Sequence, residues 1–251
     1  MVINVLCEKP AQTAAIARIP GISYIYSAER QKGTDAMWIQ VLPYIMRDDV
    51  QVDIDPYAEG VLVRNYEELE MVRESNYHGR VIADASLYSF NSEAIAQLKS
   101  DGITRDTVPY ELNVHEMKKR GVRGSELMIY GRVPLMISAN CLYLTENEQC
   151  GKNIPSGNNV ELIDRMNTEF PVVCDCRYCY NVLYNSVPVS LHKEIDTIST
   201  LGLHSVRLNF TTEEPQEAVE IVEYFKDLLI GRAGETPVRY YTRGHFRKGV
   251  E

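Results

Sequence analysis

Two hydrophobic periods alternate along the chain. Short runs rich in Val, Ile and Leu sit at 2–6, 22–26, 38–42, 60–63, 80–83, 107–110, 126–129 and 205–208, and read as strands. Between them, apolar residues recur every three or four positions at 11–18, in NYEELEMVRES, in EAIAQLKS, in HEMKKR, at 191–201 and at 214–229, which predicts helices. Asn91 is placed to cap EAIAQLKS, with Gly102 as its stop, and Asn113 to cap HEMKKR. Eight strands, mostly followed by helices, predict an α/β fold: a (β/α)8 TIM-barrel-like single domain over residues 1–251. A doubly wound sheet is the alternative. A cysteine-rich segment, 131–189, is expected as an insertion between strands seven and eight, with the linker-like stretch 151–159 inside it.

In a barrel, residues at the C-terminal ends of the strands face the active-site mouth. That rule selects Arg64 with Asn65, Asp84, Glu111, Tyr130 with Gly131, and Arg207 with Asn209. Asp84 and Glu111 could form an acid–base pair, and Arg64, Tyr130, Arg207 and Asn209 could hold substrate. The competing expectation is that the carboxylates anchor Arg64 or Arg207 in a buried ion network. Tyr88, Tyr178 and Tyr180 fall near the same segments, to stack on a ring or to pack at a rim.

Composition narrows the function. Hydrophobic residues make up 45% of 251, enough for one full-sized core, and a net charge of −9 argues against a broad nucleic-acid-binding face. A local basic patch is still available in TRGHFRK, where Arg243, His245, Arg247 and Lys248 could meet RNA phosphates or an acidic protein face, or form a solvated end. No apolar run reaches the ~20 residues of a membrane span, and the chain opens on a strand, so a soluble, cytoplasmic protein is expected.

In that reducing setting the cysteines read as metal ligands rather than disulfides. Five of the six lie at Cys141-x8-Cys150 and Cys174-x-Cys176-x2-Cys179. Soft thiolates select zinc or an iron–sulfur centre over magnesium or calcium. Four ligands are needed and five are present, with Cys176 and Cys179 as a knuckle, Cys141 and Cys150 from a separate loop, and Cys174 as the spare. Polar neighbours Asn140, Asp175 and Arg177 argue against simple buried thiols, whereas Cys7, ending an apolar strand, reads as packing.

ELMIYGRVPLMISANC, then CRYCYN, with YTRGHFRKGVE at the end, resembles peptidase family U32, the collagenase-like proteins, and most of all the C-terminal barrel of their long two-barrel bacterial members. VLPYI, EGVLVRNYEELE, VIADASLYSFN and VPYELN extend the resemblance over nearly the whole chain. The resemblance implies a barrel-like fold and a four-iron, four-sulfur (4Fe-4S) cluster on Cys141, Cys150, Cys176 and Cys179, with zinc as the substitute. It further implies oxygen-independent hydroxylation of RNA bases or of a small aromatic substrate, and an upstream barrel of a longer parent chain as partner. Glu111 matches the glutamate of an arginine-glutamate-leucine motif, but Tyr110 precedes it. Tyr130-Gly131 stands where other members have histidine-glycine.

Two other functions stay in view. A collagenase-like peptidase would need an activated nucleophile, yet the chain has no G-x-S-x-G elbow or H-E-x-x-H helix, and its five histidines are scattered. A non-catalytic docking module would use a metal only to staple the insertion to the barrel.

Overall fold

A computed structural model describes residues 1–46, 51–151 and 158–250. In chain order its elements begin with β1 (Val2–Cys7), α1 (Pro10–Ile16), β2 (Tyr24–Ser27), β3 (Met37–Val41), β4 (Gly60–Val63), α2 (Tyr66–Glu74) and β5 (Arg80–Ala83). There follow α3 (Ser92–Ser100), β6 (Arg105–Asp106), α4 (Val114–Arg120), β7 (Glu126–Gly131), β8 (Pro134–Ser138) and α5 (Leu142–Asn147). The last are β9 (Asn158–Ile163), β10 (Glu169–Asp175), β11 (Tyr180–Tyr184), β12 (Val189–Ser190), α6 (Ile195–Ser199), β13 (Ser205–Phe210) and α7 (Pro215–Leu229).

A nine-stranded, mostly parallel sheet runs β12-β7-β13-β1-β2-β3-β4-β5-β6, and a separate four-stranded antiparallel sheet runs β8-β11-β10-β9. The large sheet curls, and one parallel bridge between Thr107 and Glu126 brings its β6 end towards β7. This corrects the expected (β/α)8 repeat. No helix lies between β2 and β3, or among the described residues between β3 and β4, and the described residues form seven α-helices against thirteen strands. The sixth strand is two residues long and ends before the apolar run at 107–110 that predicts it. The expected helix at 191–201 is a 3-10 turn at His192–Glu194 followed by the five residues of α6. The cysteine segment, expected as an insertion with no strands assigned to it, supplies all of the small sheet. The linker-like stretch within it lies outside the described residues except at its ends.

Local chemistry explains the helices that do form. Asn65, Asn91 and Asn113 each accept a hydrogen bond from a backbone N–H in the first turn of α2, α3 and α4, worth typically ~1 kcal/mol apiece. Pro215 opens α7 with its fixed φ, and Ala218, Ile221, Val222 and Phe225 form a stripe at helical spacing, all buried. That stripe packs in one cluster with Val5, Ile129, Leu208 and Phe210 of β1, β7 and β13. Burial of each large side chain there contributes roughly 1.5–3 kcal/mol.

Inside the curl of the large sheet the packing is polar. Arg207, fully buried on β13, donates to Asp84 (2.6 Å), Glu126 (3.1 Å) and Asn209 (2.9 Å). Glu126 also accepts from Asn4, from Ser205 (2.9 Å) and from the Tyr26 hydroxyl (3.4 Å). These groups tie β1, β2, β5, β7 and β13 together.

Candidate functional site

The turn between β10 and β11 carries Cys176-Arg-Tyr-Cys179. Asp175 shapes it, accepting from the Tyr178 N–H (3.3 Å) and from the Tyr180 hydroxyl (3.2 Å). Cys179 closes it in the left-handed region, φ 54°, a conformation that costs a non-glycine residue about 1 kcal/mol or more and is held only where its surroundings demand it. Cys174 lies in β10 and Cys176 is the first residue of the turn beyond it, and their side chains share one packed face. On that face they pack with Val172, Leu142 and Tyr143. Cys141 caps α5, its Sγ accepting from the Leu144 N–H at 3.3 Å.

These elements bring Cys141, Cys150, Cys174, Cys176 and Cys179 around one cavity of about 20 Å³. Gly151 closes one side, and a Cβ there would sit 2.6 Å from the Cys176 Sγ, so the backbone approaches the thiols as closely as glycine permits. Burial pushes the Cys174 thiol up to about 11, helped by the neighbouring Cys176 and Cys141, and burial followed by Cys141 raises Cys176. Gathered thiolates repel one another, and a metal cation inverts that penalty. Among the described residues no three acidic, histidine or cysteine side chains already stand as a closed ligand shell. The donor set nonetheless fits a soft metal: five sulfurs from three segments at one cavity, with a glycine where a side chain would intrude. Cys174, the expected spare, lines the same cavity as the other four.

Beside the thiols lies a larger cavity of about 450 Å³, and Cys174, Asp175 and Tyr180 line both. It opens at the C-terminal ends of β1, β3 and β4, and Glu8, Leu42, Tyr44 and Arg64 line it from those ends. Tyr180 and Tyr184 line it from β11, and the Tyr44 N–H donates to the Tyr180 hydroxyl at 3.3 Å, docking the small sheet over the mouth. Arg64 is buried, with its guanidinium 3.7 Å from the centre of the Tyr44 ring and Nη1 donating to the Leu42 carbonyl at 3.0 Å. Its Nε and Nη2 face Asp84 and Glu8 at 3.7 Å each, too far for hydrogen bonds. Burial raises the Glu8 carboxyl above its ordinary range despite the Arg64 charge, and Tyr184 is hydrogen-bonded to it.

The backbone under Arg64 is held by a reciprocal cap. The Arg64 N–H donates to Glu68 Oε2 at 2.6 Å, Asn65 Nδ2 donates to Glu68 Oε1 at 3.2 Å, and the Glu68 N–H donates to Asn65 Oδ1 at 2.8 Å. Burial pushes the Glu68 carboxyl up to about 7, with Arg64 opposing. An acid raised in this way binds its proton more tightly when folded, so its contribution is fully present below about 4.5 and is lost as pH rises towards 7. Between about pH 5 and pH 8 the wild type is therefore expected to lose more unfolding free energy than Glu68→Gln, by up to ~3 kcal/mol. Urea titrations of both proteins at the two pH values check this, and equal losses would refute it.

The other residues selected by the sequence are dispersed. Asp84 bridges Arg64 and Arg207 and lines neither cavity; burial pushes its carboxyl up, but the Arg207 and Arg64 charges outweigh this and hold it below its usual value. Asn209 donates to the Met128 sulfur at 3.3 Å and supports Arg207. Glu111 is not paired with Asp84, because the chain leaves the sheet after Asp106 and carries Glu111 to a different cavity. Tyr130 points away from the mouth, its hydroxyl donating to Glu213 at 3.0 Å and its ring against Phe210 and Phe225. Arg243 pairs with Glu194 at 3.5 Å, and His245 Nδ1 meets the Gly249 carbonyl at 2.8 Å.

Glu8, Tyr44 and Tyr184 are the mouth residues that sequence reasoning passes over. Glu8 carries a readable signal, a charged residue directly after the apolar first strand. A buried hydroxyl–imidazole pair, Ser190 Oγ to His192 Nδ1 at 2.8 Å, has Ser190 only 1% exposed, so it presents no nucleophile to a substrate.

No family model matches the chain, and no curated protein does. Among solved structures it is similar to the C-terminal domain of a candidate chitinase from Desulfitobacterium hafniense DCB-2, with TM-score 0.38 and 10% identity over 93% of this chain and 99% of that one. It is also similar to the spore cortex-lytic enzyme SleL of Bacillus megaterium QM B1551 (0.30, 12%, 95% and 75%) and of Bacillus cereus (0.32, 11%, 94% and 74%). Similarity this slight bears on neither mechanism nor substrate. No helix among the described residues is long and apolar enough to cross a membrane.

Proposed function

We propose that the chain is a thiolate-metal module of the U32 type, holding an iron–sulfur cluster and contributing to oxygen-independent hydroxylation of an RNA base or a small aromatic compound. The observation that carries the reading is the wall shared by the two cavities: Cys174, Asp175 and Tyr180 separate five gathered thiols from a polar, tyrosine-rich mouth. Cys141, Cys150, Cys176 and Cys179 are the ligands in this reading. A cluster bound there would supply one-electron transfer next to the substrate cavity.

The chain's own residues do the rest. Arg64 lines the mouth with a buried positive charge whose Nε and Nη2 face Asp84 and Glu8, and Tyr44 and Tyr180 line it with aromatic surface for an aromatic body. Burial raises the carboxyls of Glu8 and Asp175, both lining the mouth, so these acids bind a proton more tightly than usual, whereas two arginines hold Asp84 below its usual value. In the same reading the partner is an upstream barrel of a longer parent chain. The size of the thiol cavity, near that of one small ion or water, favours a second reading: a single zinc that staples the small sheet to the large one.

Iron, acid-labile sulfide and zinc per chain on anaerobically purified protein separate these readings. About four irons with four sulfides are expected for the first, and stoichiometric zinc without sulfide for the second. Protein free of both, with its thiols open to titration, would overturn the metal reading altogether.

A further inference from the structure

A cavity of about 330 Å³ opens between the segment after β6, the start of β8 and the C-terminal residues 243–246, and none of its lining residues belongs to the mouth or the thiol cavity. Its walls present apolar and polar surface in similar measure, the apolar part from residues including Val108, Leu112, Met117, Val189 and Phe246, and Tyr88 contributes an exposed ring stacked on Phe90 at 5.8 Å. Glu111 is the acidic group in this lining, and its Oε2 is buried with no hydrogen-bond partner among the described residues. The basic groups at the cavity are already engaged: Arg243 pairs with Glu194 and His245 with the Gly249 carbonyl. A buried carboxylate oxygen without a donor has lost its hydration with nothing in exchange, a deficit that a ligand bringing its own N–H would make good.

We propose that this cavity binds a small organic cation, an amidinium or arylammonium, whose flat apolar body fills the pocket and whose N–H donors meet Glu111. An anion of the same shape would meet an unpartnered carboxylate instead. A neutral ring would leave Glu111 unsatisfied. The site is independent of the thiol centre and stands whether or not that centre holds a metal.

Benzamidine and benzoate, alike in shape and opposite in charge, are the probes, read by methyl NMR on methionine-labelled protein. Met117 and Met128 line the cavity, whereas Met37 and Met166 lie elsewhere and serve as controls. Benzamidine is expected to shift Met117 and Met128 saturably, Glu111→Gln to weaken it by at least about tenfold, and benzoate to bind at least tenfold more weakly than benzamidine to the wild type. Should Glu111→Gln fail to fold, the wild-type comparison of the two probes decides alone. Equal affinity in the variant, benzoate matching benzamidine, or shifts confined to Met37 and Met166 would overturn the proposal.

Discussion

Replacing Arg207 by methionine is expected to lower the unfolding free energy by about 3–5 kcal/mol, the cost of breaking a buried ion network from one side. Methionine keeps much of the volume, so the loss reports charge rather than a cavity. The side chain is fully buried between Asp84 and Glu126, and neither carboxylate is exposed enough to recover hydration when the guanidinium goes. Arg64 remains 3.7 Å from Asp84, and Asn4 and Ser205 still donate to Glu126, so the carboxylates keep some support. Adding Glu126→Gln should restore part of the loss, because the uncompensated charge is removed with its partner. Asp84 sets the pH behaviour: its folded pKa is depressed, so its contribution is present above about 3.8 and disappears as pH falls through the lower folded value. Urea titration at neutral pH tests the first claim, and a loss below about 1 kcal/mol would show that the network is not coupled to folding.

Alanine at Cys176 is expected to abolish metal retention, whereas alanine at Cys174 is expected to leave it stoichiometric. Cys176 sits in the strained turn beside Cys179, with Gly151 packed directly on its sulfur, so no other donor can take its place without moving backbone. Cys174 is almost fully buried, and burial pushes its thiol up to about 11, which favours a packed thiol over an exposed thiolate. Its loss removes packing against Val172 and Tyr143 and should cost stability of about 1 kcal/mol or more without emptying the site. Metal per chain measured on both variants separates a ligand from a packing residue. If Cys174→Ala also empties the site, the ligand set must include it and one of the four named cysteines is the spare.

What the sequence made legible was what local chemistry decides. The asparagine caps at 91 and 113 satisfy backbone donors within their own turns, and the cysteine spacing places five sulfurs within one segment that folds back on itself. What it hid depends on register and distance. Strand period places Tyr130 at the mouth, but the pairing of β7 with β13 passes from Arg207–Met128 to Leu208–Tyr130, so Ile129 is extra, and Tyr130 is redirected towards the helices. Glu8 becomes a half-buried acid of the mouth through neighbours distant in sequence, with Tyr184 hydrogen-bonded to it and Arg64 facing it. The eightfold repeat failed because two of the strand connections run without helices where described, and because the cysteine segment had enough strand character to make a sheet of its own.

That small sheet ends at β8 with an uncovered edge. Leu135, Met136 and Ile137 are consecutive, so they alternate between its two faces, yet all three are exposed. A strand bare on both faces and along one hydrogen-bonding edge is a template for a strand of another molecule. Met136 and Ile137 line none of the three cavities, so a lysine at Met136 is expected to reduce edge-to-edge association in concentrated solution without touching the chemistry of any of them.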